Sequence, residues 1–312
     1  MNTPNIAMPG PALSSQTSVP RTVSYTQSFY WSVRREFWEN RLIYLAPLGA
    51  AAVFLFGFVV NMILLRRRMH GVWPVVLISH VDPAVKHDAL VLPFEMSAAL
   101  IMGIALVVGI FYSLDALYGE RRDRSILFWK SMPVSDLTTV LSKLAIPLVI
   151  IPVLSFAIVL VTQFIMLLLA STVLAGSGAN IAALWTQQSF LRFSLELFYH
   201  MLTVHGLWYA PLYAWLLLVS AAAPRAPFVW AVLPPVVIWT VEKMAFNTTY
   251  FLSLLKVRLM GPPDPDMPRS ADLMSTLIPH HFFDQPGLWA GLAVAAVFLA
   301  ITVQLRRYRG PV

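Results

Sequence analysis

Cysteine is absent from the 312 residues, which excludes disulfides and thiolate metal sites and leaves the compartment open. Charge is scarce: Asp, Glu, Lys and Arg make up 12% of the chain, where a soluble domain carries about a quarter. None of the 14 glycines is followed by Lys, so there is no G-x-x-x-x-G-K-[ST] loop to cradle a phosphate. No polar stretch is long enough for a nucleotide-binding domain. The zinc-protease pattern H-E-x-x-H is missing, and no segment of about 20–50 residues repeats. Any ATP-driven work by this chain therefore needs ATP hydrolysed on another chain.

What fills the chain instead is apolar. Hydrophobic residues make up 58% of it, with a mean hydropathy of +0.70. Several runs exceed the roughly 18–20 apolar residues that cross a bilayer, so the expected fold is all-α and polytopic in a membrane. Residues 1–27 are rich in Pro, Ser, Thr, Asn and Gln, with Arg21 their only charge. They lack a basic start and an apolar centre, and read as a flexible tail rather than a signal peptide. Over 28–41, Tyr30, Val33, Phe37 and Trp38 recur near one face at helical spacing, and Arg34, Arg35, Glu36 and Glu39 take much of the rest. That pattern predicts a helix lying in the membrane interface.

Six spans are expected within a transmembrane domain of 42–306, at about 42–65, 96–118, 141–169, 199–222, 228–246 and 288–305, followed by a short tail of 307–312. The third is longer than a bilayer needs and contains Pro147 and Pro152, which predicts tilting or a kink. Pro224-Arg-Ala-Pro227 reads as a tight turn, and the Pro- and Asp-rich stretch 260–268 as a loop. With both termini on one side, that side holds thirteen of the 22 Lys and Arg residues and the other side nine. The positive-inside rule then places both termini and the 119–138 loop in the cytoplasm, as in a bacterial inner membrane. Arg66, Arg67 and Arg68 fall on the outer side. In such a protein the net charge of +7 reads as cytoplasmic ends meeting anionic lipid headgroups, and no nucleic-acid partner is expected.

The densest signal is Gly119-Glu-Arg-Arg-Asp-Arg-Ser-Ile-Leu-Phe-Trp-Lys-Ser-Met-Pro-Val-Ser-Asp136, between the second and third spans. A connector between two spans needs only a few polar turn residues. Here Arg121, Arg122, Arg124 and Lys130 stand against Glu120, Asp123 and Asp136, interleaved with Ile126, Leu127, Phe128 and Trp129. This is the composition of a short amphipathic segment at the membrane surface, with a polar side free to meet another protein. Arg121, Arg122 and Arg124 can meet carboxylates, Phe128 and Trp129 can fill an apolar cleft, and Pro133 would stop the short helix.

Other polar residues carry two readings each. Glu242-Lys243 ends the fifth apolar run and reads as an interfacial pair, with a place on a transport pathway as the alternative. Asp115 lies one turn from the end of the second span, placed to pair with an arginine of the adjacent loop. Arg192, Glu196 and His200 share a helix face and form either a hydrogen-bonded ladder or an ion site at the outer mouth. His200 and His205, five apart, should lie on different faces of an α-helix. His280 and His281 read as interfacial, and no metal site is expected.

The chain resembles the membrane subunits of ABC-2-type transporters. The resemblance rests on Arg34-Arg-Glu-Phe-Trp-Glu-Asn-Arg41 leading into Leu-Ile-Tyr-Leu-Ala-Pro47, and on Gly119-Glu-Arg121, Ser125, Phe128-Trp129, Ser131-Met-Pro-Val-Ser135 and Lys143 after the second span. It extends to the 220–227 turn and to a fifth span ending in Glu242. It implies an amino-terminal elbow helix, six spans, a cytoplasmic coupling helix, and pairing with a second permease copy or a paralogue. It also implies docking of a separate ATP-binding subunit. The residues placed at that docking are Arg34, Arg35, Glu36, Trp38 and Glu39 of the elbow, and Gly119, Glu120, Arg121, Arg122, Asp123, Arg124, Ser125, Phe128, Trp129, Lys130 and Pro133 of the loop. ATP and Mg would sit on that partner, with no cofactor on this chain and no catalysis by it. The substrate would be a hydrophobic or amphipathic molecule, usually exported. The competing readings are a membrane anchor or assembly factor that recruits a cytoplasmic partner, and an intramembrane enzyme, for which no convergent catalytic side chains occur at workable spacing.

Overall fold

The computed structural model describes residues 25–69, 83–131, 134–175, 190–261 and 282–310. Pro133, His280, His281, the tail before Tyr25 and the side chains of Arg66, Arg67 and Arg68 lie outside what it describes. Among the described residues every element is helical. Five helices are long and apolar enough to cross a membrane, or six if one bent pair counts as a single span. The chain is therefore compatible with a multi-pass membrane protein.

Helix α1, Tyr25–Glu39, covers the segment expected to be interfacial. It stops at Asn40, whose Nδ2 donates back to the Glu36 carbonyl at 3.0 Å. Helix α2, Leu42–Met69, is apolar all round, as a lipid-facing span requires. Helix α3, Pro83–Asp115, begins well before the expected second span. It breaks at Ala116 because the amides of Leu117 and Tyr118 turn away to donate to Ser220 Oγ, at 3.0 and 2.9 Å. The expected cytoplasmic loop holds two short helices, α4, Tyr118–Arg122, and α5, Ser125–Ser131, joined through Arg124 in the left-handed region at φ 58°.

The third span opens with α6, Asp136–Ala145, whose N-cap Ser135 accepts from the Thr138 amide at 3.1 Å. It then widens into a π-helical stretch, π1, Ile146–Ile150, before α7, Ile151–Ala175. The irregularity expected from the prolines is thus localised at Pro147, which has no N–H to give to a regular ladder. Where the fourth span was expected stand α8, Phe190–His200, then π2, Met201–Trp208, then α9, Ala210–Ala222, the bent pair, with a 45° bend at the last junction. The fifth, α10, Pro227–Phe246, starts with Pro at its first position, where the missing N–H costs nothing. A helix that periodicity did not suggest, α11, Tyr250–Met260, follows it. The last span is α12, Pro286–Tyr308, after a 3₁₀ turn at Phe282–Asp284.

The centre of the bundle is α9. Tyr213, Ala214, Leu217 and Ser220 on it are fully buried, with α3 and α12 packed alongside. Gly109 allows α3 to approach, since a Cβ there would stand 2.9 Å from Tyr213 Oη. A second core joins α2, α3 and α7 through Ala51, Ile101, Phe94, Val159 and Met166. Helix α10 is peripheral: 6% of its most apolar stretch is buried, against 50% for the span of α3 and α4.

Candidate functional site

At the end of the bundle that carries α4 and α5, six charged side chains form one cluster, with Glu39 at its exposed edge. Lys143 Nζ on α6 stands 2.8 Å from Glu36 Oε1 on α1 and 3.1 Å from Glu120 Oε1 on α4, the second an ion pair without hydrogen-bond alignment. Arg306 Nη1 on α12 donates to Glu120 Oε2 at 2.5 Å, and its Nε donates to Asp136 Oδ1 at 3.2 Å. Arg35 pairs with Glu36 at 2.6 Å, with Glu39 at 3.5 Å and with Glu120 at 3.6 Å. Tyr112 on α3 donates its hydroxyl to Glu36 Oε2 at 2.9 Å. Glu36, Glu120, Lys143 and Arg306 are all buried. The cluster ties α1, α4, the start of α6 and the end of α12 into one unit.

Local sequence explains why these charges meet. On α1, Glu36 shares the inward face with Val33 and Phe37, which pack against Ile43 and Ile146. On α6, Val140 and Lys143 lie three apart and both point inward. Three carboxylates, Glu36, Glu120 and Asp136, face three cations, Arg35, Lys143 and Arg306. Burial of these ions is costly unless they are paired, and here each one is.

The electrostatics of Glu36 follow from that setting. Burial pushes its carboxyl up, but Lys143 and Arg35 outweigh this and hold it below its ordinary value of 4.5. A carboxyl lowered on folding stabilises the fold above its ordinary value, and that contribution is lost as pH falls through the folded value. Acid titration of the detergent-solubilised protein below about pH 4.5 should therefore lower its unfolding midpoint. Glu36→Gln should flatten that part of the pH profile; an unchanged slope would mean that Glu36 is not the group titrating.

Compared with protein-family models, with curated proteins and with solved structures, the chain finds no match.

The loop residues singled out by sequence divide between two faces. Glu120 and Arg121 turn inward. Arg121 Nη1 donates to the carbonyls of Ala221 and Ala223 at 2.5 and 3.2 Å, which clamps α4 to the end of α9. This guanidinium is held inside the chain and is not presented to a partner. Arg122, Asp123 and Arg124 are exposed, and Arg122 pairs with Asp123 at 3.0 Å. Asp115 meets an arginine of the adjacent loop, as expected, in Arg122 at 3.9 Å, and a Cβ on Gly119 would stand 3.3 Å from Asp115 Oδ2. Ser125 Oγ donates to the Glu120 carbonyl at 3.4 Å. Leu127 and Phe128 are each 58% exposed, two apolar side chains facing outward from α5. Trp129 is half-buried under the Arg35 guanidinium, 3.6 Å above its ring, and touches Phe128 edge-on at 5.0 Å. Lys130 Nζ donates to the carbonyls of Arg307 and Arg309.

On α1, Arg34 lies over the Trp31 ring at 5.1 Å, and Trp38 and Glu39 are exposed. Glu242 serves a local purpose: its carboxylate accepts from the amides of Tyr250 and Phe251 and from the Thr248 hydroxyl, which caps α11. Lys243 is exposed and its carbonyl accepts from the Asn247 amide. Of the expected Arg192–Glu196–His200 ladder, Arg192 and Glu196 pair at 2.7 Å. His200 and His205 do not diverge: their rings lie 5.6 Å apart. The α-helical spacing rule fails because this stretch is π-helical, with bonds i to i+5 that bring residues five apart onto one face. His205 is buried, with neither ring nitrogen hydrogen-bonded, and its ring meets Tyr209 at 5.4 Å. Among the described residues no group of three metal-ligating side chains comes together.

Sequence reasoning missed Arg306, Asp136 and Tyr112 as members of the cluster. A signal was there for Lys143: it is a solitary cation at the start of an apolar run, where it needs a carboxylate from elsewhere.

Proposed function

We propose that this chain is the membrane-spanning permease subunit of an ATP-driven transporter of the ABC-2 type, energised by a separate ATP-binding subunit that carries ATP and Mg. The observation that carries the reading is the two-sided build of α4 and α5. Their inner side is fastened to α1, α6, α9 and α12 through Glu120 and Arg121, while Arg122, Arg124, Leu127 and Phe128 face outward. A partner that pushes on the outer side would move the ends of several spans together, because the buried ion pairs leave little slack between them. In this reading both termini and the loop lie in the cytoplasm of a bacterial cell. A second copy or a paralogue completes the pathway, and a hydrophobic or amphipathic molecule is exported.

The test is biochemical. Isolated chain, free of contaminating enzyme, should hydrolyse no ATP. Gentle extraction from its own membrane should bring down an ATP-hydrolysing subunit whose turnover depends on this chain. A cysteine at Ser131, the sole thiol in the protein, should resist an impermeant reagent applied to intact cells. ATP turnover by the isolated chain, or rapid labelling from outside, overturns the proposal.

A further inference from the structure

A groove of about 550 Å³ lies between the end of α9 and the start of α10, next to the tail of α12. Its walls are Trp215, Leu218 and Ala222 from α9, Trp230 and Pro234 from α10, and Arg309. It exists because α10 stands away from the bundle: Trp215 Nε1 reaches across to the Ala231 carbonyl at 3.2 Å and holds the two helices apart at indole distance. The size falls within the range of about 300–1,000 Å³ usual for a ligand site. Pro224 from the turn between the helices lines the groove together with Arg309, and Arg225, next in the chain, is exposed. No acidic residue occurs in 219–234 or 305–310 to offset them. Arg309 spends one donor on the Ala222 carbonyl, and Lys130 holds the adjoining backbone in place through the carbonyls of Arg307 and Arg309. The site therefore has an apolar slot between two helices, with two tryptophans in its walls and the cation of Arg309 at its edge.

We infer that this groove binds one anionic phospholipid from the leaflet on the side of the α9–α10 turn. An acyl chain lies against Trp215, Leu218 and Trp230, and the headgroup phosphate meets Arg309 and Arg225. Charge complementarity selects this occupant: a zwitterionic lipid fills the slot equally well, but its ammonium is repelled by Arg309 and Arg225, whereas an anionic headgroup brings them net negative charge. The inference rests on the membrane-spanning reading and is independent of the proposed coupling to an ATPase.

The full-length protein is reconstituted in nanodiscs containing trace phosphatidylglycerol or phosphatidylcholine, each with the same photoactivatable acyl chain. Expected labelling falls on peptides covering 212–234 and is several-fold stronger for phosphatidylglycerol. Arg309→Gln and Arg225→Gln should each reduce phosphatidylglycerol labelling about fivefold, the ratio that corresponds to ~1 kcal/mol per cation near an anionic headgroup. Each should reduce phosphatidylcholine labelling by a smaller factor, since that headgroup shares the phosphate but has no net negative charge. Ala222→Leu, which fills the slot, should reduce both. The comparison of the two lipids on the unaltered protein does not depend on any variant folding. Equal labelling by both lipids, labelling confined to other helices, or α10 protected by a second copy of the chain would each overturn the inference.

Discussion

Lys143→Ala should be among the most destabilising single substitutions in this protein, at about 3–5 kcal/mol, the usual cost of removing one partner of a buried ion pair. Its ammonium lies within 2.8 Å of Glu36 and 3.1 Å of Glu120, both buried. Without it, Arg35 and Arg306 remain as the cationic partners of those two carboxylates. Helix α1 should then detach first, because its hold on the bundle runs through Glu36 and the apolar contacts of Val33 and Phe37. Thermal unfolding in detergent would show a lower midpoint, and limited proteolysis would cut between α1 and α2. The double variant Lys143→Met with Glu36→Gln should recover a good part of the loss, since a neutral replacement leaves fewer charges buried without partners. A single variant as stable as the parent would mean that water already screens this cluster.

Charge reversal on the outer side of the loop should act on a partner instead of on the fold. Arg122→Glu with Arg124→Glu replaces two exposed cations, and Phe128→Ala removes an exposed ring; none of the three side chains is part of the buried cluster. If these groups form the proposed docking surface, each desolvated charge contact contributes roughly 2–5 kcal/mol when one side is removed. The double reversal should then abolish recovery of the ATP-hydrolysing subunit while the unfolding midpoint stays unchanged. Phe128→Ala should leave some association but uncouple hydrolysis from transport. Arg121→Glu is the informative contrast: its parent guanidinium bonds the Ala221 and Ala223 carbonyls, so it should lower stability as well. If these arginines only face anionic lipid, at about 1 kcal/mol each, the double variant keeps normal recovery of the partner and normal transport. That result would remove α5 as the coupling element.

Much of the helical framework was legible in the sequence. Apolar length sets whether a segment can cross a bilayer, and length and hydropathy are local properties. The 228–246 run, for instance, appears as Pro227–Phe246 with hardly any shift. The Asp115–Arg122 and Arg192–Glu196 pairs were legible for the same reason, because both partners sit within two turns of one segment. Helix α11 was not, since its apolar and charged residues follow no 3.6-residue stripe. It is held by contacts distant in sequence: Glu242 caps it, and Arg258 bonds the carbonyls of Trp208 and Gly287.

By itself, then, the sequence determined that the chain builds membrane-length helices, that it carries no phosphate loop, and that its densest charge lies between the second and third apolar runs. Only the tertiary structure decided which of those charges face inward. Glu120 and Arg121 are neighbours of Arg122 and Asp123 and carry the same two charges, yet one pair is buried and the other exposed. The difference is made by Lys143 and Arg306, 23 and 186 positions away from Glu120 in the chain, and by the carbonyls at the end of α9. Burial of a charge depends on a partner being present at bonding distance, and no pattern within an eighteen-residue stretch records what the far ends of other helices bring to it.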